Sequence, residues 1–261
     1  MTAEVSVTDD VPIADLTGHR ALVTGAASGI GRACAEAFAA AGAELLVLDR
    51  DAEGAKRIAD AVGGQPLVAD LDDPTVVANL PLDRVDVVIN NAGFQHVAGV
   101  PEFDPAVFSS MLRVMVETPF ALARAVLPHM QQRRWGRFVH ISSIHGLRAS
   151  AYKAGYVTAK HAVEGLSKVL AVEGAPHGIT SNTICPGYVR TPLVRKQLAD
   201  QARSHGIAEE QVLDDVLLAR IPVKRLIEPA EVARLALFLC GPGSSSMSGS
   251  SYEISGGWTA T

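Results

Sequence analysis

Arg20-Ala21-Leu22-Val23-Thr24-Gly25-Ala26-Ala27-Ser28-Gly29-Ile30-Gly31 is the stretch that decides how this chain folds. The apolar run from Arg20 to Thr24 reads as a short buried strand, and glycines at 25, 29 and 31 follow it at once. An alanine-rich stretch over 30–41 then reads as a helix. Glycines between a strand and a helix allow a tight turn and let the backbone approach a pyrophosphate. The helix N-terminus favours that negative charge through its unpaired N–H groups. The spacing is Gly-x-x-x-Gly-x-Gly rather than G-x-G-x-x-G, so a packing device is the competing reading. Its place between strand and helix favours a dinucleotide.

The same alternation continues outward. Runs at 44–49, 66–69, 85–89, 138–141, 179–184 and 251–254 read as six more strands, with helical patterns near 52–62, 105–133, 153–174 and 228–239. Apolar strands that alternate with helices predict a parallel sheet covered on both faces. The expected architecture is therefore α/β: a Rossmann-like, doubly wound, seven-stranded parallel sheet in one domain, 18–261. Residues 1–17 read as a flexible tail, and 191–220 as a small helical lid that interrupts the alternation.

Composition narrows the partners. Hydrophobic residues at 48% against 20% charged residues indicate a globular chain, and a net charge of −5 argues against nucleic acid or an anionic membrane. Cys34, Cys185 and Cys240 are far apart and sit in apolar settings, so they read as reduced core thiols. The histidines lack ligand spacing, and no metal is expected. No signal peptide and no apolar window of roughly 18 residues is read from the sequence, which predicts a cytoplasmic protein.

Tyr156 and Lys160 carry the chemistry. Four residues apart on a helix, they share a face, and an ammonium beside a phenol favours the phenolate. Such a phenol accepts a proton from an alcohol or returns one to a carbonyl; a solvated helix face is the alternative. Asp49 ends the second strand eighteen residues after Gly31, where a carboxylate can accept hydrogen bonds from an adenosine ribose. A 2′-phosphate would meet that charge, so NAD is favoured over NADP, with Arg50 partly offsetting the repulsion. Asp70 suits an adenine edge or a helix N-cap. Asn90-Asn91-Ala92-Gly93 closes the fourth strand, at a cofactor crevice or in a plain turn.

Thr24–Gly31, Asn90–Gly93, Ser143, Tyr156-x-x-x-Lys160 and Pro186-Gly187 together resemble the short-chain dehydrogenase/reductase family, in its order and over nearly the whole chain. The resemblance implies that Tyr156 is the acid/base, that Lys160 binds the nicotinamide ribose and lowers the tyrosine pKa, and that Ser143 holds the substrate oxygen. It implies cofactor contacts from Thr24, Gly25, Ser28, Gly29, Ile30, Gly31, Asp49, Asp70, Leu71, Asn91, Ala92, Gly93, Tyr156, Lys160, Pro186, Gly187, Val189 and Thr191. One position departs: Met115 stands where the family usually has an asparagine whose main-chain carbonyl holds a water connected to the lysine. Pro119, four residues on, lacks an N–H and cannot close the helical bond to the Met115 carbonyl, which leaves that carbonyl for a water.

Asn91-Ala-Gly-Phe-Gln95-His96-Val97, Ile144-His145-Gly146-Leu147, Ala151-Tyr-Lys153-Ala-Gly-Tyr156, Ala159-Lys-His-Ala162 and the run from Ile184 to Gln197 are similar to segments of bacterial D-3-hydroxybutyrate dehydrogenases. That likeness implies a small hydroxy-acid or keto-acid substrate, (R)-3-hydroxybutanoate or acetoacetate. Gln95, His145, Lys153 and Gln197 would bind its carboxylate beside Ser143 and Tyr156, with Trp258 at the pocket wall. A small hydroxy acid offers little but its carboxylate, so charge-assisted donors must orient it. The likeness also implies a homotetramer. The alternatives are a dehydrogenase of the same family for a neutral alcohol, diol or sugar, and a non-catalytic cofactor-binding regulator suggested by Met115 alone.

Overall fold

A computed structural model describes residues 13–195, 198, 202 and 208–260. The strands are β1 (Arg20–Thr24), β2 (Glu44–Asp49), β3 (Gln65–Val68), β4 (Val85–Asn90), β5 (Gly136–Ile141), β6 (Ile179–Pro186) and β7 (Ser251–Ile254). They form one sheet in the order β3-β2-β1-β4-β5-β6-β7, and every neighbouring pair is parallel. The helices are α1 (Gly29–Ala40), α2 (Ala52–Val62), α3 (Pro105–Leu112), α4 (Thr118–Arg133), α5 (Ala154–Gly174), α6 (Glu209–Val212) and α7 (Pro229–Phe238). The Rossmann-like, doubly wound sheet expected from the sequence is the fold.

Strand alternation builds two cores. Ala21 and Val23 of β1 point to one face, where they join Cys34, Ala35 and Phe38 of α1 and Val232, Ala233 and Ala236 of α7. Leu22 points to the other face and joins Leu122, Val126 and Met130 of α4 and Leu170 of α5. Phe38 is wholly buried, a burial that contributes roughly 1.5–3 kcal/mol. Local signals set the helix ends. Asp51 Oδ1 accepts from Gly54 N at 3.1 Å to start α2, and Gly63 at φ 66° ends it.

The helix expected over 105–133 is interrupted. Arg113–Glu117 is a π turn, in which Thr118 N–H bonds the Arg113 carbonyl five residues back. Pro119 supplies the reason, because the α-helical ladder lacks a donor opposite Met115 and widens there. Met115 sits in the middle of the turn with its side chain buried. By length and composition, Pro105–Arg133 is long and apolar enough to cross a membrane, which corrects the expectation that no window is. In the fold its Met111, Leu122, Val126 and Met130 are core residues.

Residues 13–17, expected to belong to a flexible tail, pack on the domain instead. Ala14 and Leu16 are buried in the first core, and Leu16 N donates to Ala41 O at 2.8 Å. Residues 13–17 therefore belong to the domain. Within 191–220, Val194, Leu198, Ala202, Val212, Leu217 and Leu218 join Ile221 and Leu226 in a small apolar cluster of their own, with Tyr188 and Trp258 packed on it. Gln197 lies outside the described residues.

Candidate active site

The strand order reverses between β1 and β4, and in open α/β sheets the crevice beyond the C-terminal strand ends at that point takes ligands. The glycine turn lies there. Gly25 and Gly29 hold φ of 64° and 56°, values that side-chain-bearing residues rarely adopt. A Cβ on Gly31 would run into the Gly25 carbonyl, and one on Gly29 would lie 3.1 Å from Thr191 Cγ2. Asn91 braces the turn, with Nδ2 donating to Thr24 O at 2.9 Å and Gly25 O at 3.0 Å. Thr24 Oγ1 accepts from Asn91 N and Ala92 N, both at 3.0 Å, and donates to Ile89 O at 3.3 Å. Ser28 caps α1 from an extended backbone, and its side chain makes no capping bond. Ile30 and Gly31 form the first turn of α1.

The rest of the expected cofactor contacts surround the same crevice. Asp49 Oδ2 accepts from Ala27 N at 2.9 Å and Oδ1 from Asp51 N at 3.0 Å. A carboxylate has acceptor capacity beyond two bonds, so the ribose role remains open to it. Asp70 Oδ1 accepts from Asp72 N at 3.0 Å, a turn and not a helix cap. Leu71 is buried, and its carbonyl accepts from Thr118 Oγ1 at 2.9 Å. Gly187 N donates to Ile254 O at 2.9 Å, which carries the chain from Pro186 past β7. Val189 then bridges Ile227, and Thr191 reaches back to Gly29. A cradle with no room for side chains, bare N–H groups at a helix start and a carboxylate at the next strand end fit a pyridine nucleotide.

Tyr156, Lys160 and Ser143 meet at the ends of β5 and α5. Lys160 is buried, donates to Ile141 O at 2.7 Å and lies 5.5 Å from the Tyr156 ring centroid. Ser143 starts the helical turn Ile144–Gly146, and its Oγ accepts from His145 N at 3.1 Å and hydrogen-bonds the Tyr156 hydroxyl. Burial lowers Lys160 to about 8, opposed by Cys185 and Glu164. Tyr156 is raised above the usual phenol range by burial, and the Ser143 hydrogen bond opposes the rise. The sequence reading had Lys160 lowering this pKa. Instead the ammonium lies over the ring face and is held by Ile141 O, so burial prevails.

Lys160 also borders a cavity of about 10 Å³ lined by Thr24, Asn90, Met115, Thr118 and Pro119 among others, about the room one water needs. Asn90 Oδ1 is buried without a partner, while its Nδ2 meets His140 Nδ1 at 3.1 Å. His140, wholly buried in β5, is lowered to about 4 by burial.

The residues expected to orient substrate gather beside the phenol. Lys153 Nζ lies 3.2 Å from His145 Nε2. The His145 ring is edge-on to Tyr156 at 6.2 Å and to Trp258 at 5.9 Å between centroids. Burial lowers His145 to about 4, with Lys153 adding to the effect, and burial lowers Lys153 below the usual ammonium range. Among the described residues His145 is the side-chain partner of Lys153, and no carboxylate pairs with it. Gln95 Oε1 and His145 Nδ1 are buried without partners. Tyr152, directly before Lys153, holds φ of 65°, which aims the chain into the α5 start at a cost in backbone strain. The sequence reading missed Glu164, a buried carboxylate four residues after Lys160. Its spacing in an apolar run was the available signal.

Residues 25–259 match the family model described as enoyl-(acyl carrier protein) reductase. The chain is 40% identical over 253 residues to a D-beta-hydroxybutyrate dehydrogenase of Rhizobium meliloti, covering 92% of this chain and 98% of that protein. It is 39% identical over 256 residues to a D-beta-hydroxybutyrate dehydrogenase of Cupriavidus necator, covering 94% and 99%. A solved structure from Agrobacterium tumefaciens, provisionally described as a 2-deoxy-D-gluconate 3-dehydrogenase with bound NADP, superposes with a TM-score of 0.83 at 32% identity. The match covers 96% of this chain and 99% of that one.

Proposed function

The chain belongs to the short-chain dehydrogenase/reductase family and binds a pyridine nucleotide, and we propose that it is an NAD-dependent dehydrogenase interconverting (R)-3-hydroxybutanoate and acetoacetate. The observation that carries the substrate reading is the Lys153–His145 pair at 3.2 Å beside Tyr156. A half-buried cation that has no carboxylate partner among the described residues, beside the unpartnered His145 Nδ1, suits a small anion. The two D-beta-hydroxybutyrate dehydrogenases among the relatives support the same choice.

In this reading Lys153 and His145 hold the substrate carboxylate, and Gln95 gives a directed polar contact. Ser143 and Tyr156 then share the reacting hydroxyl, and Tyr156 takes its proton during oxidation or returns it during reduction. The nucleotide, when bound, accepts or returns the hydride. Lys160 holds its ammonium over the Tyr156 ring, where it would bind the nicotinamide ribose. The Met115 turn and its cavity leave room for one water beside Lys160. Trp258 stands at the pocket wall against His145, and Gln197 would complete the carboxylate contacts. Asp49 favours NAD, because a 2′-phosphate would lie against its carboxylate.

We place the enzyme in the cytoplasm as a homotetramer. The exposed Phe120 of α4 and Val169 and Val172 of α5 support the assembly, since they leave apolar surface on two long helices. Rates for 3-hydroxybutanoate of each hand, its methyl ester and a gluconate test the substrate choice. The (R)-acid alone is expected to be turned over well; equal rates for acid and ester overturn the carboxylate reading.

A further inference from the structure

Lys160 is a buried cation whose hydrogen-bond partner is a backbone carbonyl, Ile141 O at 2.7 Å. A charge in that position needs an opposite charge nearby or it shifts toward the neutral form. Few groups face it. Tyr156 and Glu164 lie on its own helix, His140 on β5 and Cys185 on β6, while Thr24, Asn90, Met115 and Thr118 line the cavity beside it.

Glu164 alone among these is built as an anion. It is 5% exposed and one helical turn from Lys160 on the same face of α5. Three neighbours donate to it: Thr183 Oγ1 at 2.7 Å and Ser251 Oγ at 2.6 Å to Oε2, and Cys185 Sγ at 3.2 Å to Oε1. Three donors around its two oxygens suit a carboxylate. Gly146 leaves it space, since a Cβ there would lie 3.1 Å from Lys160 O and 3.2 Å from Glu164 Oε1. We infer that Glu164 is the buried counter-charge of Lys160, a positioning residue that sets the protonation of the lysine and acts on Tyr156 only through it. Burial takes Lys160 down to about 8, with Cys185 and Glu164 opposing. Burial pushes the Cys185 thiol up to about 12 and takes His140 down to about 4, so both are neutral where the lysine titrates. Glu164 is the opposing charge that remains.

The inference rests on the Tyr156–Lys160 chemistry proposed above but not on the substrate. Its test is the pH profile of kcat/KM in the full-length enzyme, with whichever alcohol the wild type oxidises. Loss of Lys160's proton gives the falling limb at high pH. Glu164→Gln keeps an acceptor for Thr183 and Ser251 and removes the charge. The falling limb should move to lower pH by about one unit, the effect of losing one charge within roughly 10 Å in a protein interior. Glu164→Asp keeps the charge and should hold the limb at the wild-type position even if the rate falls. A limb unmoved in Glu164→Gln, or moved equally in both variants, overturns the inference.

A second measurement needs no activity. If Glu164→Gln unfolds or melts early, Lys160→Met added to it should raise the melting midpoint, because both buried charges are then gone. A double variant no more stable than Glu164→Gln alone also overturns the inference. An enzyme silent on 3-hydroxybutanoate sinks the substrate reading and leaves this cycle intact.

Discussion

Lys153→Met takes one charge out of the substrate pocket and keeps most of the stem's volume. In the wild type, Lys153 Nζ lies 3.2 Å from His145 Nε2, and desolvation lowers its pKa. A hydrogen bond to a charged group contributes about 1.5–3 kcal/mol. Lys153 is only half-buried, and water screens such a group, so the lower part of that range applies. At about 1.4 kcal/mol per decade, kcat/KM for (R)-3-hydroxybutanoate should fall about 10- to 30-fold. The methyl ester offers no charge to Lys153, and its kcat/KM should change less than about threefold. The assay is the initial rate of NAD reduction over a range of each substrate, in both proteins. His145 gives an independent reading: Lys153 helps lower its pKa, so its ring should titrate higher in the variant by NMR. Equal losses for acid and ester would mean that Lys153 only packs the start of α5. No loss for the acid would refute the carboxylate assignment outright.

Asp49→Asn removes the charge a 2′-phosphate would meet, so the ratio of kcat/KM for NAD over NADP should fall at least about tenfold; an unchanged ratio contradicts the role given to Asp49. Met115→Asn should alter kcat by less than about tenfold, since the π turn set by Pro119 already opens the cavity beside Lys160; a gain of several orders of magnitude would show a crippled natural site. His140 and His145 are held near 4 against an ordinary value of 6.5. The unfolded chain therefore binds more protons between those values, so their stabilising effect is present above about 6.5 and is lost as pH falls toward 4. Each accounts for up to about 3 kcal/mol in denaturant melts, and His140→Asn should flatten that acid slope.

Periodicity made the sheet legible. Runs such as Leu45-Leu46-Val47-Leu48 can only be strands covered on both sides, and the glycines after Thr24 locate the reversal of strand order. Tyr156 and Lys160 were legible from helical spacing, and Ser143 only through the likeness to the family. Pro119 indicated which carbonyl would lose its helical bond, though not that the helix would widen there into a π turn. Residues 13–17 were misread because two apolar residues, Ala14 and Leu16, sit in a polar context, and only the groove beside α1 explains their burial. The Tyr156 pKa was misjudged for a related reason: its direction depends on depth of burial, which spacing does not report. Glu164 was passed over because its partners lie on β6 and β7, far along the chain. Gln197 is legible only as a likeness to relatives.

The most direct test of the central claim is NADH formation by wild type and Tyr156→Phe with (R)-3-hydroxybutanoate, its (S) form and the methyl ester. The account predicts steady turnover of the (R)-acid by the wild type, little with the other two, and a loss of at least about 100-fold in Tyr156→Phe. Undiminished turnover in Tyr156→Phe, or wild-type rates that ignore both hand and charge, would contradict it.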